Sequence, residues 1–104
     1  MKEQLPLPEK KEITDEQIID ALKLGVEKPE VFKLLQDWTK QQEEKVKTHE
    51  DRINLDRKRA KVYLMSGYKE ASLESLEAAY EQAWNEQRTE LCREILDEIE
   101  KITS

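Results

Sequence analysis

A chain of 104 residues, 40% charged and 37% hydrophobic, has room for one domain, and its composition is typical of long helices with solvated faces. Its 18 basic and 24 acidic residues leave a net charge of -6, which disfavours nucleic acid and anionic membranes unless positive charge is clustered. No apolar run approaches the about 20 residues of a membrane span, the N-terminus lacks a signal-peptide core, and the single cysteine excludes an internal disulfide, so we expect a cytoplasmic protein with no membrane association.

The first predicted helix covers residues 14–26 and follows a flexible tail at 1–13, where prolines alternate with leucines. Thr14 and Gln17 have the spacing of a capping box at the start of this helix, and Gly25 stands where a glycine ends a helix. Apolar residues recur between them at helical spacing. They predict one buried face, formed by Ile18, Ile19, Leu22 and Val26.

Two long helices are predicted next, at 29–66 and 72–102. Pro29 suits a first helical turn, and Ser72 suits an N-cap. If the two helices pair as an antiparallel hairpin around a turn centred between Tyr68 and Lys69, apolar residues meet in most layers. The pairs would be Leu64 with Leu73, Ile53 with Trp84, Val46 with Leu91, Trp38 with Ile99 and Leu35 with Ile102. The pattern therefore predicts an all-α protomer of three helices, with a single helical domain over 14–104.

Two paired helices cannot cover each other's apolar faces completely. The helix at 14–26 is too short to cover about 50 Å of hairpin, which leaves aromatic surface without a cover. We therefore expect self-association, with a dimer favoured, that completes a larger bundle. Large aromatic side chains with polar tips dominate binding surfaces, so the predicted contacts with a second copy or another protein are Trp38, Tyr63, Tyr80 and Trp84.

The residues that could carry catalysis do not form a recognisable set. His49 is the only histidine and fits neither a Glu-x-x-His nor a His-Glu-x-x-His motif. Cys92 has no histidine at its own level of the hairpin to act as its base. Only two glycines are present, too few for a phosphate-binding loop. We predict no catalytic residue, no cofactor, no metal and no enzymatic activity.

A run of positive charge in the second predicted helix makes nucleic acid a second, less favoured partner. Residues 45–61 carry seven basic and three acidic side chains, whereas residues 70–104 carry three basic and ten acidic ones. The hairpin would place these stretches side by side, where the charges can pair within the chain. If the run is free instead, the residues that would contact phosphates are Arg52, Arg57, Lys58, Arg59 and Lys61.

The segment 21–35 resembles the core of a prokaryotic helix-turn-helix, with small and apolar residues at the characteristic intervals. These residues are Ala21, Gly25, Val26, Val31 and Leu34. A helix-turn-helix followed by a long helical hairpin is similar in order to the small terminase subunits of phages. This resemblance implies a DNA-binding unit at 14–35 and an oligomerising hairpin behind it. A plain junction between two helices fits the same pattern.

Two hypotheses about function therefore stand side by side. The first is a non-enzymatic helical protein-protein interaction module, a scaffold or regulatory protein that self-associates. The alternative is a DNA-binding accessory protein, terminase-like or repressor-like, with its reading unit at 14–35. The alternative requires an affinity for duplex DNA that falls steeply as salt rises.

Overall fold

The computed structural model describes residues 12–104, which are helical and contain no strand. This confirms the predicted all-α class. The helices of this part are α1 (Asp15–Leu24), α2 (Pro29–Glu43), α3 (His49–Met65), α4 (Lys69–Asn85) and α5 (Thr89–Thr103). The predicted tail at 1–13 lies outside the described residues except for its last two, and the N–H of Ile13 donates to Oε1 of Gln41 at 2.8 Å.

Local signals set the ends of α1 and the start of α2 as predicted. The N–H of Gln17 donates to Oγ1 of Thr14 at 3.0 Å, and the N–H of Thr14 donates to Oε1 of Gln17 at 2.8 Å. These two bonds confirm the capping box. Gly25 follows α1 with a φ of 123°, and Pro29 stands in the first turn of α2. Glycine is common just after a helix and proline in its first turn, so both residues stand where the sequence predicts them.

The predicted continuous helix at 29–66 is wrong, because α2 ends at Glu43 and α3 begins at His49. Thr48 caps α3: its Oγ1 accepts from the N–H of Asp51 at 3.0 Å, and its own N–H donates to Oδ2 of Asp51 at 3.2 Å. This second capping box satisfies backbone N–H groups that would be free at a new helix start. The chain therefore leaves the helical path in the middle of the predicted element.

The predicted helix at 72–102 is also wrong, both at its start and in its middle. α4 begins at Lys69, before the predicted cap. Ser72 is fully buried within α4, and its hydroxyl donates to the carbonyl of Ala60 at 2.7 Å, so it joins α3 to α4 instead of capping a helix. The chain reverses at Gln87, two residues after α4 ends at Asn85, and α5 then packs back along α4.

The same helix-ending motif closes α3 and α4. After α3, Gly67 has a φ of 94°, and the next N–H donates to the carbonyl of Tyr63 at 2.8 Å. After α4, Gln87 has a φ of 60°, and the next N–H donates to the carbonyl of Ala83 at 2.9 Å. Both are Schellman motifs, which place one left-handed residue just beyond a helix. At the second site the left-handed position carries a side chain.

The helices pack into two hydrophobic clusters that share α3. α3 pairs with α4 and α4 with α5, whereas α1 packs against α2 and α3. The first cluster joins α1, α2 and the C-terminal half of α3; its buried members are Ile18, Ile19, Leu22, Val31, Trp38 and Val62. The second joins α3, α4 and α5; its buried members are Ile53, Ala60, Leu76, Ala79, Ala83, Cys92 and Ile95.

The predicted pairing between two long helices is therefore not formed. Trp38 belongs to the first cluster, whereas Ile99 packs against the second. Ile53 is fully buried, but its predicted partner Trp84 is 65% exposed. The prediction assumed uninterrupted helices, and the breaks after α2 and α4 redirect both ends of the hairpin. The part that survives is the antiparallel pair of α3 and α4.

The molecule is thin, with extents of 52 × 31 × 16 Å, and its smallest dimension is less than two helix diameters. Many helices therefore keep a face toward solvent. Large apolar side chains are exposed on these faces: Leu24, Phe32, Leu64, Met65, Trp84 and Leu96. None of the helices within 12–104 has the length and apolar character needed to cross a membrane.

Candidate interaction site

The four aromatic side chains predicted as contacts do not share a surface. Trp38 is fully buried, and its Nε1 donates to Oδ1 of Asp15 at 3.2 Å. Its predicted exposure is wrong, because α1 folds over it. Tyr63 is half-buried against the same cluster as Trp38. Tyr80 and Trp84 lie together on α4, at the second cluster.

Tyr80 and Trp84 form a stacked pair one helical turn apart. Their ring centroids are 6.3 Å apart and their planes differ by 24°, a distance and offset that aromatic pairs prefer. Tyr80 is half-buried against the second cluster, whereas Trp84 remains 65% exposed. The tyrosine ring covers part of one side of the tryptophan. Trp84 is therefore an exposed aromatic side chain that also packs against a neighbouring ring.

Trp84 borders an open cavity of about 650 Å³ at the turn between α4 and α5. Polar and small groups from the turn form the rest of its lining: Asn85, Gln87, Arg88, Thr89 and Cys92. Arg88 is partly engaged on one side, with its Nη1 3.5 Å from Oε1 of Glu50 on α3. An exposed aromatic side chain therefore lies beside a cavity. In a twofold-symmetric dimer the same patch of both copies forms the interface, so each copy can offer its aromatic side chain to the cavity of the other.

Arg52 and Arg57, two of the predicted phosphate contacts, face carboxylates of the same chain. Arg52 donates to both carboxylate oxygens of Glu43, at 2.8 and 2.6 Å. Arg57 donates to Glu98 on α5, and its Nη1 lies 3.6 Å from Oε1 of Glu94. The hydrogen bond from Arg52 lowers the pKa of Glu43, and the hydrogen bond to Glu98 raises the pKa of Arg57. These guanidinium groups are already neutralised.

The other three predicted phosphate contacts differ in their surroundings. Lys58 lies 3.5 Å from Oδ2 of Asp15 and donates to Oε1 of Gln42 at 3.1 Å. Arg59 lies 3.9 Å from Oδ1 of Asp56. Lys61 is exposed and has no ion pair with any residue of 12–104. The basic run is therefore largely compensated within the chain; Lys47 and Lys61 are its two lysines without an ion pair among residues 12–104.

The segment predicted as a helix-turn-helix forms two consecutive packed helices, α1 and α2, with a turn at 25–28. Glu27 and Glu30 are exposed around the start of α2, at the end that would approach phosphates in such a motif. Their negative charge opposes contact with a polyanion. DNA binding through 14–35 stays a prediction.

The chemistry-bearing side chains of 12–104 are dispersed. No group of three His, Cys, Asp or Glu side chains in this part could hold a metal ion. The ring of His49 is exposed, with Nδ1 3.2 Å from Nε2 of Gln82 and Nε2 3.7 Å from Oε2 of Glu86. Cys92 is a buried free thiol. The predicted absence of a catalytic or metal site stays a prediction.

Comparison with models of protein families, with curated proteins and with solved structures gives no match for this chain. The site is therefore described from its own geometry. Sequence reasoning missed two exposed leucines, Leu64 on α3 and Leu96 on α5, and Leu64 was assigned to the core of the hairpin. The Thr48–Asp51 capping spacing was the signal that could have shown the long hairpin to be broken.

Proposed function

We propose that this protein is a non-enzymatic helical interaction module, a scaffold or regulatory protein that self-associates, with a dimer favoured, through the surface around Trp84. The observation that supports the proposal is the exposure of Trp84, 65% of whose surface remains open although its ring stacks on Tyr80. Tryptophan is the residue type most enriched among those that dominate binding energies.

Physical considerations favour this surface over the other exposed apolar residues. A side chain packed against a neighbouring ring has less conformational entropy to lose on binding. The cavity beside Trp84 also offers a concave surface to a partner. By contrast, Phe32 is exposed on α2 without an aromatic ring stacked on it.

Sedimentation velocity across a concentration series tests the proposal. We expect a monomer–dimer equilibrium for the unmodified chain and a dissociation constant weakened at least about tenfold in Trp84→Ser. The matched control is Phe32→Ser, which removes a comparable exposed ring, and its dissociation constant should change less than about twofold. A strict monomer at about 1 mM, or equal weakening by both variants, would reject the proposal.

Tryptophan fluorescence gives an independent readout, because the chain has two tryptophans and Trp38 is fully buried. If Trp84 enters an interface, emission should move to shorter wavelength as the protein concentration rises. The spectrum of Trp84→Ser reports Trp38 alone and should not change with concentration. A spectrum of the unmodified chain that is constant across the dimerisation range would place Trp84 outside the interface.

A further inference from the structure

A second surface feature lies at the other end of α4 from Trp84. It is an open groove of about 590 Å³ between the middle of α3, the C-terminal end of α5 and the start of α1. Its floor is apolar: Leu64 and Ile102 supply the accessible part, whereas Ala60 and Leu76 border it as buried core residues. Leu64 is 43% exposed at this floor, so the groove is not filled by the chain's own side chains.

The groove follows α3 from Asn54 to Leu64, a distance of about 15 Å along the helix axis. That length corresponds to about ten residues, or three turns, of a second helix laid beside it. The volume falls within the range of about 300–1,000 Å³ that is usual for binding clefts. Because the groove is open to solvent, an elongated ligand such as a helix fits it better than a compact ligand that needs an enclosed pocket.

The rim of the groove carries more positive than negative charge. Arg57, Lys58, Lys61 and Lys101 supply four cations, against the carboxylates of Asp15 and Glu98. Both carboxylates are already paired, Asp15 with Lys58 and Glu98 with Arg57. Lys61 and Lys101 have no ion pair with another residue of 12–104. The rim therefore presents two uncompensated cations beside an apolar floor.

We infer that this groove binds an acidic amphipathic helix of a partner protein. Leucine-like side chains at successive turns of that helix rest on Leu64 and Ile102, as in other helix-in-groove complexes. Its flanking carboxylates pair with Lys61 and Lys101. The inference rests on the proposed function only in treating the protein as an interaction module, since the groove and the Trp84 surface are separate.

A second copy of this chain is a poorer occupant than a partner protein. An occupying helix needs at least two large apolar side chains one turn apart on its outward face. The exposed large apolar residues within 12–104 stand singly on their helices, except for the adjacent Leu64 and Met65. The outward face of α4 carries Glu70, Glu74, Glu77 and Glu81, and its one exposed large apolar side chain, Trp84, stands alone at the C-terminal end. No described helix therefore matches both the floor and the rim.

The test uses two labelled synthetic peptides of about 14 residues, long enough for the groove. In the acidic peptide, leucines recur at the first, fourth, fifth and eighth positions and glutamates fill the others; in the basic peptide, lysines replace the glutamates. Fluorescence anisotropy of the full chain should show that the acidic peptide binds at least about tenfold more tightly than the basic one. Raising the salt concentration should weaken that binding.

Variants of the full chain assign the site. Leu64→Glu, and separately Lys61→Glu combined with Lys101→Glu, should each weaken acidic-peptide binding at least about tenfold. The controls are Leu96→Glu and the double change Lys28→Glu with Lys40→Glu, which alter equally exposed residues outside the groove and should change affinity less than about twofold. Unchanged circular dichroism melting shows that each variant is folded.

Three outcomes overturn the inference: no saturable binding at about 0.5 mM protein, equal binding of both peptides, or equal loss in groove and control variants. If the groove variants alter sedimentation of the unliganded chain instead, a second copy occupies the groove and the inference is also overturned. Trp84→Ser separates the two proposals. It should weaken self-association at least about tenfold and leave acidic-peptide binding unchanged, so either proposal can fail alone.

Discussion

The phenolic oxygen of Tyr68 donates to the carbonyl of Leu22 at 2.8 Å and accepts from the N–H of Val26 at 3.1 Å. One hydroxyl at the start of α4 therefore satisfies two backbone groups at the end of α1, 46 and 42 residues away in sequence. Gly25 has just ended the helix there, so the N–H of Val26 lies beyond the regular hydrogen-bond pattern, whereas the carbonyl of Leu22 also accepts from the N–H of Gly25 at 3.0 Å. This contact fixes α1 against the rest of the molecule.

Tyr68→Phe should lower the free energy of unfolding by about 1–2 kcal/mol, because the N–H of Val26 loses its partner while partly buried. For a domain of this size that corresponds to a fall in Tm of about 4–8 °C per kcal/mol. Tyr63→Phe is the control. Tyr63 packs against the same cluster, and its hydroxyl has no hydrogen bond to a residue of 12–104. Equal losses in both variants would show that the Tyr68 hydroxyl does not stabilise the fold.

The break between α2 and α3 can be tested by the sign of one substitution. Thr48→Ala should destabilise the protein by about 1 kcal/mol, because it removes the side chain that caps α3. In an uninterrupted helix the same change would stabilise, since alanine has the higher helix propensity. Thr39→Ala within α2 provides that reference, with an expected gain of up to about 0.5 kcal/mol. Urea denaturation of both variants measures the difference.

The reversal between α4 and α5 makes a similar prediction at Gln87, whose φ of 60° is unfavourable for a residue with a side chain. Gln87→Gly should stabilise by about 0.5 kcal/mol, because relief of about 1–2 kcal/mol of backbone strain exceeds the entropic cost of glycine. Gln36→Gly, within α2 and exposed, should cost about 1 kcal/mol. A loss at Gln87 equal to that at Gln36 would indicate a continuous helix through this position.

Thr48 and Gln87, where the predicted long helices break, explain which parts of the fold can be predicted from the sequence. Thr14 with Gln17, Gly25 and Pro29 carry strong local preferences, and each stands where its preference predicts. Thr48 stands at the same spacing before Asp51, but the capping-box pattern has glutamate or glutamine at the third helical position. The shorter aspartate therefore does not match that pattern in the sequence. Gln87 carries no local signal at all, because any residue can be forced into the left-handed region when the surrounding packing over-determines it.

The candidate site was predictable only in part, for a related reason. Trp38 and Trp84 are both predicted as interaction residues because each is large and aromatic. Their neighbours in the sequence do not show which of the two is buried. Their burial depends on which helix covers them: α1 covers Trp38, whereas the turn after α4 leaves Trp84 open. That choice follows from the breaks at Thr48 and Gln87. A prediction that treats the helices as continuous therefore also misplaces the interaction surface.

The close approach of α3 and α4 depends on small side chains. Ala60, Ser72, Ala79 and Ala83 are all at most 2% exposed at this interface. Ala79→Leu should therefore cost about 1–3 kcal/mol by overpacking. The neighbouring Ala78 is exposed, so Ala78→Leu should change stability by less than about 0.5 kcal/mol. Thermal unfolding of the pair measures this; similar Tm values would mean that the helices can separate at little cost.

Asp56 on α3 is a buried carboxylate within a charged group that also contains Arg52, Arg59 and Glu43. Burial raises its pKa, and the two arginines oppose that shift without cancelling it. Its contact with Arg59 is long, at 3.9 Å. Because the folded state holds this proton more tightly than the unfolded state, Asp56 makes the protein less stable as pH rises above the ordinary aspartate pKa of about 3.9. Glu43, whose pKa is lowered by Arg52, has the opposite dependence.

Asp56→Asn should therefore raise the free energy of unfolding at pH 7, since the amide has no charge to desolvate. The gain should shrink as pH falls toward the ordinary aspartate pKa of about 3.9, because protonation of Asp56 removes the same buried charge that the substitution removes. Urea denaturation across this range isolates Asp56, because both proteins keep Glu43. Asp20→Asn, at an exposed site without an ion pair in 12–104, controls for the change in net charge and should have little effect. A loss of stability at pH 7 in Asp56→Asn would mean that attraction to Arg59 outweighs burial, and that this carboxylate stabilises the junction of α2 and α3.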